Sequence, residues 1–133
     1  MIRGEELQLG DYVLIEGKPR QVESITKKKV GYHIDKQNDK RLYYARLREI
    51  EPIWVTHSLL MKVFEPGIDP NHFVLQEFTY NISLSLRREG VCRVKIEEAI
   101  FDEDVYFDCW VEDKLHLLQN VLKVFGIKID WKV

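Results

Sequence analysis

The feature that most constrains this chain is the density of turn chemistry in its first fifty residues. Asp11-Tyr12-Val13-Leu14-Ile15-Glu16 is β-branched and aromatic, Gly17-Lys18-Pro19 supplies a turn, and Gln21-Val22-Glu23-Ser24-Ile25-Thr26 alternates apolar with polar. That succession predicts a hairpin. A third run over 30–35 meets a polar turn at Gln37-Asn38-Asp39, and a fourth over 41–45 returns from it. Four or five short strands joined by hairpins predict a small, strongly bent sheet or SH3-like barrel.

After Pro52 the period changes. Thr56 is placed to cap a helix whose apolar positions Leu59, Leu60, Val63 and Phe64 follow 3.6-residue spacing, and Pro66-Gly67 to stop it. Segments 72–81, 82–88, 91–98 and 105–112 read as antiparallel strands. Ile82, Leu84 and Leu86 alternate with Ser83, Ser85 and Arg87, which gives one dry and one wet face. Glu89-Gly90 turns the chain into a strand whose Cys92, Val94 and Ile96 share a face. The last helix has Asp113 as expected N-cap, an apolar stripe of Leu115, Leu118, Val121, Leu122 and Phe125, and Gly126 at the left-handed C′ position. His116, Gln119, Asn120 and Lys123 fall largely off that stripe, and the alternating tail from Ile127 to Trp131 predicts a short edge strand or a clamp. The expected fold class is α+β: an N-terminal SH3-like small β-barrel, residues 1–53, packed on a C-terminal part, residues 54–133, made of an antiparallel sheet with two helices.

Composition bounds the function classes. With 45% hydrophobic residues in 133, the chain has enough apolar surface to exclude disorder. Twenty Lys and Arg against 22 Asp and Glu leave a net charge of −2, so no field of the whole protein draws it to nucleic acid or anionic lipid. Any electrostatic function must be local. No window approaches about 18 uninterrupted apolar residues, and Met1-Ile2-Arg3-Gly4-Glu5-Glu6 lacks the apolar stretch of a secretory signal, so a cytoplasmic protein with no membrane contact is expected. Cys92 and Cys109 have no CxxC spacing or neighbouring His; both are expected to be buried thiols, with no cofactor or metal implied.

Three stretches carry a resemblance. Glu6-Leu7-Gln8-Leu9-Gly10-Asp11-Tyr12-Val13, Ile50-Glu51-Pro52-Ile53-Trp54-Val55-Thr56 and His116-Leu117-Leu118-Gln119-Asn120 resemble an uncharacterised family of small proteins from gut anaerobes and their phages or mobile elements. That family has a Leu-Arg-Ile-Gly-Asn-like opening, a Pro-Ile-Pro-Leu-Thr-like helix entry and a His-Gln-Leu-Gln-Asn-like final helix. This chain departs from it at Gln8, Asp11, Trp54, Val55 and Leu117 and lacks its Leu-Thr-Gly-Glu-Glu-Leu-like ending. The resemblance implies a shared fold and a phage or mobile-element context; it implies no catalytic residue.

Two charged patterns stand out. Glu97, Glu98, Asp102, Glu103, Asp104, Asp108, Glu112 and Asp113 place eight acids in seventeen residues with no Lys or Arg between them. The leading expectation is a non-enzymatic protein-interaction module, an inhibitor or regulator of a host system. Its acidic surface at Asp102, Glu103, Asp104, Asp108 and Glu112, with Trp110 as aromatic anchor, would meet a host or phage protein of basic surface. Hard-oxygen binding of Mg²⁺ or Ca²⁺, as in a metal-dependent hydrolase, is a weaker reading, because Phe107 stands where an EF-hand loop requires glycine. The alternative function is nucleic-acid binding through Lys27, Lys28 and Lys29 with Arg20, Tyr32, Lys40 and Arg41, beside Tyr12, Tyr43 and Tyr44. Cations can track phosphates while aromatic rings stack on bases. Catalysis has no pattern behind it: His33, His57, His72 and His116 are dispersed, and no GxSxG, P-loop or HExxH motif is present.

Overall fold

The computed structural model describes residues 2–77, 79–99 and 105–133, with every side chain among them except that of Arg87. The fold is mixed α+β and, among the described residues, has its strands in three antiparallel sheets beside two α-helices. By contacts, Met1–Trp54 with Lys114–Phe125 form one compact unit, and Val55–Asp113 with Gly126–Val133 form a second. The last helix therefore groups with the N-terminal strands.

In the first unit, β1 (Tyr12–Ile15), β2 (Lys18–Gln21), β3 (Ser24–Ile25), β4 (Lys29–Tyr32), β5 (Tyr43–Arg46) and β6 (Ile50–Glu51) make two sheets, ordered β2-β1-β6 and β3-β4-β5. Glu16 and Gly17, with φ of 54° and 76°, form the turn between β1 and β2. Two successive left-handed residues match the right-handed twist of the flanking strands. The expected turn at Gly17-Lys18-Pro19 is thus displaced: Pro19 lies in β2 opposite Leu14, tolerated because β2 is an edge strand that need not use every N–H. Past β2 the Val22 N–H donates to the Asp11 carbonyl (2.8 Å) and the Glu23 N–H to the Gly31 carbonyl (2.8 Å). One bent segment leaves the first sheet at Val22 and joins the second at Glu23. Pairing stays within these two sheets and closes no barrel among the described residues. Ile2, Leu7, Val13, Ile15, Val22, Val30, Ala45 and Ile50 form the core, each large side chain contributing about 1.5–3 kcal/mol by burial.

The helix of this unit spans Leu115–Val124 and packs on β1; as the second α-helix in the chain it is α2. Of its predicted stripe Leu115, Leu118 and Leu122 are buried while Val121 and Phe125 are half-buried, and Gly126 follows at φ 70° as predicted. Two expectations are corrected. The N-cap is Lys114, with no side-chain cap bond, in place of Asp113. His116, expected on the polar flank, is fully buried and donates from Nε2 to Glu6 Oε2 at 3.2 Å. Gln119 accepts from the Tyr12 N–H (2.8 Å) and Asn120 donates to the Glu6 carbonyl (2.7 Å). Helix polar groups thus satisfy backbone groups that would otherwise be stranded beside the sheet.

In the second unit, α1 (His57–Met61) begins at Thr56, whose hydroxyl accepts from the Leu59 N–H at 3.2 Å. It stops before Pro66-Gly67, because Glu65–Pro66 already pairs as β7 with β8 (His72–Glu77). β9 (Tyr80–Arg88), β10 (Val91–Glu98) and β11 (Val105–Glu112) complete a sheet ordered β11-β10-β9-β8-β7. Phe73, Ile82, Leu84, Cys92, Val94 and Ile96 face its core. The tail adds no strand; Trp131 is buried and stacks on Phe64 with centroids 5.9 Å apart. Cys92 is buried, but Cys109 is exposed, contrary to expectation, because β11 is a sheet edge whose core-side row is incompletely covered. No helix among the described residues is long and apolar enough to cross a membrane.

Candidate anion-binding groove

The β3–β4 connection is a tight turn. The Thr26 N–H donates to the Lys29 carbonyl (2.9 Å), the Thr26 hydroxyl accepts from the Lys29 N–H (3.2 Å), and the Leu47 N–H donates to the Lys28 carbonyl (3.0 Å). The last bond ties the lysine turn to the short 3₁₀ segment Leu47–Glu49 that follows β5. Register adds a second tie, since Lys29 pairs with Arg46. Lys27, Lys28, Lys29, Arg46 and Arg48, together with Arg3, therefore line one groove of about 660 Å³ with Ile2, Gly4 and Leu47. Among the described residues six cations and no carboxylate line it.

Arg3 lies 3.6 Å from Glu5 and 3.8 Å from Glu6, but among the described residues Lys27, Lys28, Lys29, Arg46 and Arg48 enter no ion pair. Five clustered cations raise a local positive potential that draws anions to the groove. Beside them, Tyr44 is 56% exposed and its ring lies across Gly31, where a Cβ would come within 3.2 Å of it. Tyr44 and Arg46 are two residues apart on one face of β5, so ring and cations share a surface.

The other predicted cations lie elsewhere. Arg41 grips Asp39 through Nε and Nη2 (2.9–3.1 Å) and covers the Tyr43 ring at 5.6 Å, while Arg20 covers Tyr32 at 5.8 Å. Hydrogen bonds from Arg41 hold the Asp39 carboxyl far below the usual carboxylate range, and the Tyr43 hydroxyl is pushed up by its bond to the same carboxylate. Arg20, Tyr32 and Arg41 are thus engaged within the protein; Lys40 is exposed outside the groove. Arg3, Arg46 and Arg48 were missed by sequence reasoning. Arg46 joins the lysines through strand pairing, Arg48 follows on the 3₁₀ segment after β5, and Arg3 comes from the N-terminal turn.

Of the acidic candidates, Asp102, Glu103 and Asp104 lie outside the described residues. Asp108 is gripped by Arg93 through two 2.8 Å hydrogen bonds, which lower its carboxyl, and Glu112 is exposed at the end of β11. Trp110 is 47% exposed, opposite Arg93. Among the described residues no three His, Cys, Asp or Glu side chains are grouped to hold a metal ion.

Family models, curated proteins and solved structures yield no match to this chain. Function must be argued from the charges. Divided by contacts, the first unit has 13 basic against 9 acidic residues, a net +4, and the second 7 against 13, a net −6. The small net charge hides two units of opposite sign.

Proposed function

We propose that this protein is a nucleic-acid-binding accessory protein that holds a single strand along the groove of Lys27, Lys28, Lys29, Arg46 and Arg48. The observation that carries the reading is the clustering of those five cations without a carboxylate partner among the described residues, beside the exposed Tyr44 ring. Phosphates would neutralise the cations, and a base would stack on Tyr44. Stacking of this kind tolerates any base, so sequence selectivity is expected to be slight. The segment shared by the two N-terminal sheets supports an SH3-like arrangement, and the phage or mobile-element setting implied by the resemblance suits such an accessory role.

The test is fluorescence anisotropy with labelled single-stranded DNA and RNA across a salt series. Neutralising about five phosphates predicts a slope of log K against log salt of about −3.5. Lys27, Lys28 and Lys29 changed together to Ala should flatten it by about 2, and Tyr44→Ala should weaken binding about tenfold at every salt concentration. Absence of binding at low salt, or binding indifferent to the triple variant, would overturn the reading.

A second reading is protein contact through β11, favoured by its edge position and by exposed Val105, Tyr106 and Trp110. An edge strand with apolar side chains can accept a partner strand. Trp110→Ala would then abolish partner capture while leaving oligonucleotide binding unchanged.

A further inference from the structure

The wet face of the five-stranded sheet carries a second arrangement of donors. Register places His72 beside Ser85 and Ser83 beside Lys95 on adjacent strands, close enough for their side chains to meet. With Ile68, Arg93 and Glu97 they line a depression of about 320 Å³.

His72 is held with unusual strictness. Its ring sits over Gly67 so closely that a Cβ there would lie 2.0 Å from Nδ1, and the Ile68 N–H donates to that same Nδ1 at 3.1 Å. A nitrogen that accepts from a backbone N–H carries no proton in the neutral ring, so the proton is on Nε2. The ring is therefore a fixed donor and is wrongly protonated to serve as a base toward Ser85. Among the described residues its Nε2 makes no hydrogen bond, and the hydroxyls of Ser83 and Ser85 make none either. Lys95 reaches Glu97 only at 3.7 Å, which leaves its ammonium donors available, whereas Arg93 is engaged by Asp108.

We infer that this depression binds a phosphate-type oxyanion, as free phosphate or a phosphate monoester, between His72, Ser83, Ser85 and Lys95. Four donors converge there, and a tetrahedral oxyanion offers an acceptor oxygen to each. A carboxylate offers only two. Arg93 is balanced by Asp108, so among the described lining residues Lys95 brings the one charged donor, and binding is expected to depend on salt less than in the groove with its six cations. That behaviour separates this site from the cationic groove.

The test is a titration of the full chain with inorganic phosphate, glycerol phosphate and acetate, followed by amide and imidazole ¹H–¹⁵N spectra. Saturable shifts at His72 Nε2 and at the Ile68, Ser83 and Ser85 amides are expected, with a dissociation constant on the order of 1 mM. Preference between the two phosphates tells free ion from monoester. Ser83→Ala with Ser85→Ala should weaken binding about tenfold, and Gly67→Ala, which must displace the His72 ring, should weaken it as well. Lys27, Lys28 and Lys29 changed to Ala should leave it unchanged. Undiminished binding in the double serine variant, acetate binding as tight as phosphate, or shifts confined to the groove residues would overturn the site; loss of folding in Gly67→Ala leaves the serine variant to decide.

Discussion

Lys123 Nζ lies 2.5 Å from the Oδ1 atom of Asp11, a carboxylate with no solvent exposure. The same carboxylate accepts from the Gln8 N–H at 2.9 Å, and Lys123 also donates to the Leu9 carbonyl at 2.9 Å. This ion pair ties α2 to the turn that precedes β1.

Breaking this pair from one side leaves a buried charge without its partner. Lys123→Ala is expected to destabilise the protein by about 3 kcal/mol, measured by urea unfolding, while Lys123→Arg retains part of the pairing. Removing both charges with Asp11→Asn and Lys123→Met should be milder than the sum of the single changes, because no bare charge remains. A loss below about 0.5 kcal/mol in Lys123→Ala would show that water reaches Asp11.

The two thiols should differ sharply in reactivity. Burial, with a smaller effect of the Asp113 charge, pushes the Cys92 thiol up to about 12, whereas Cys109 is exposed. Since the thiolate is the reacting species, one cysteine per chain should react with iodoacetamide at pH 8 in native protein and two after denaturation. Mass mapping should place the native adduct on Cys109; labelling of Cys92 at a similar rate would contradict the burial.

The strand runs, the Thr56 cap, the α2 stripe and Gly126 were legible because each depends on neighbours within a few residues. The turn at Glu16-Gly17 was misplaced because Pro19 is a strong turn signal, yet an edge strand accepts it. His116 looked polar by spacing, and only its Glu6 partner, 110 positions away, makes burial tolerable. The groove was half legible. Three lysines were visible as a run, whereas Arg3, Arg46 and Arg48 reach them through pairing and chain return, which local sequence does not encode. The acidic stretch misled in the opposite way: unbroken along the chain, it is partly answered in space by Arg93 on the neighbouring strand.

That answer has a pH signature. Hydrogen bonds from Arg93 hold the Asp108 carboxyl below its ordinary value of 3.8. A folded value below the unfolded one means that the stabilisation is complete above the unfolded value and fades as pH falls through the lowered one. Carboxyl-carbon NMR should place the Asp108 midpoint below 3.8, and Arg93→Ala should return it toward that value. A native midpoint at or above 3.8 would show that the bidentate contact does not persist in solution.

Glu16 offers the converse experiment, a substitution that should stabilise. Its φ of 54° puts a residue with a Cβ in the left-handed region, beside Gly17 at 76°. Such a conformation disfavours an ordinary L-residue, whereas Asn adopts it readily and Asn-Gly suits this two-residue turn best. Glu16 is exposed and makes no hydrogen bond among the described residues, so Glu16→Asn removes little else. The variant should gain about 0.5–1 kcal/mol in chemical denaturation, and Gly17→Ala should lose a similar amount because its φ then carries a Cβ. If Glu16→Asn proved neutral while Gly17→Ala remained costly, the strain would lie at Gly17 alone, and the turn would need only one left-handed residue.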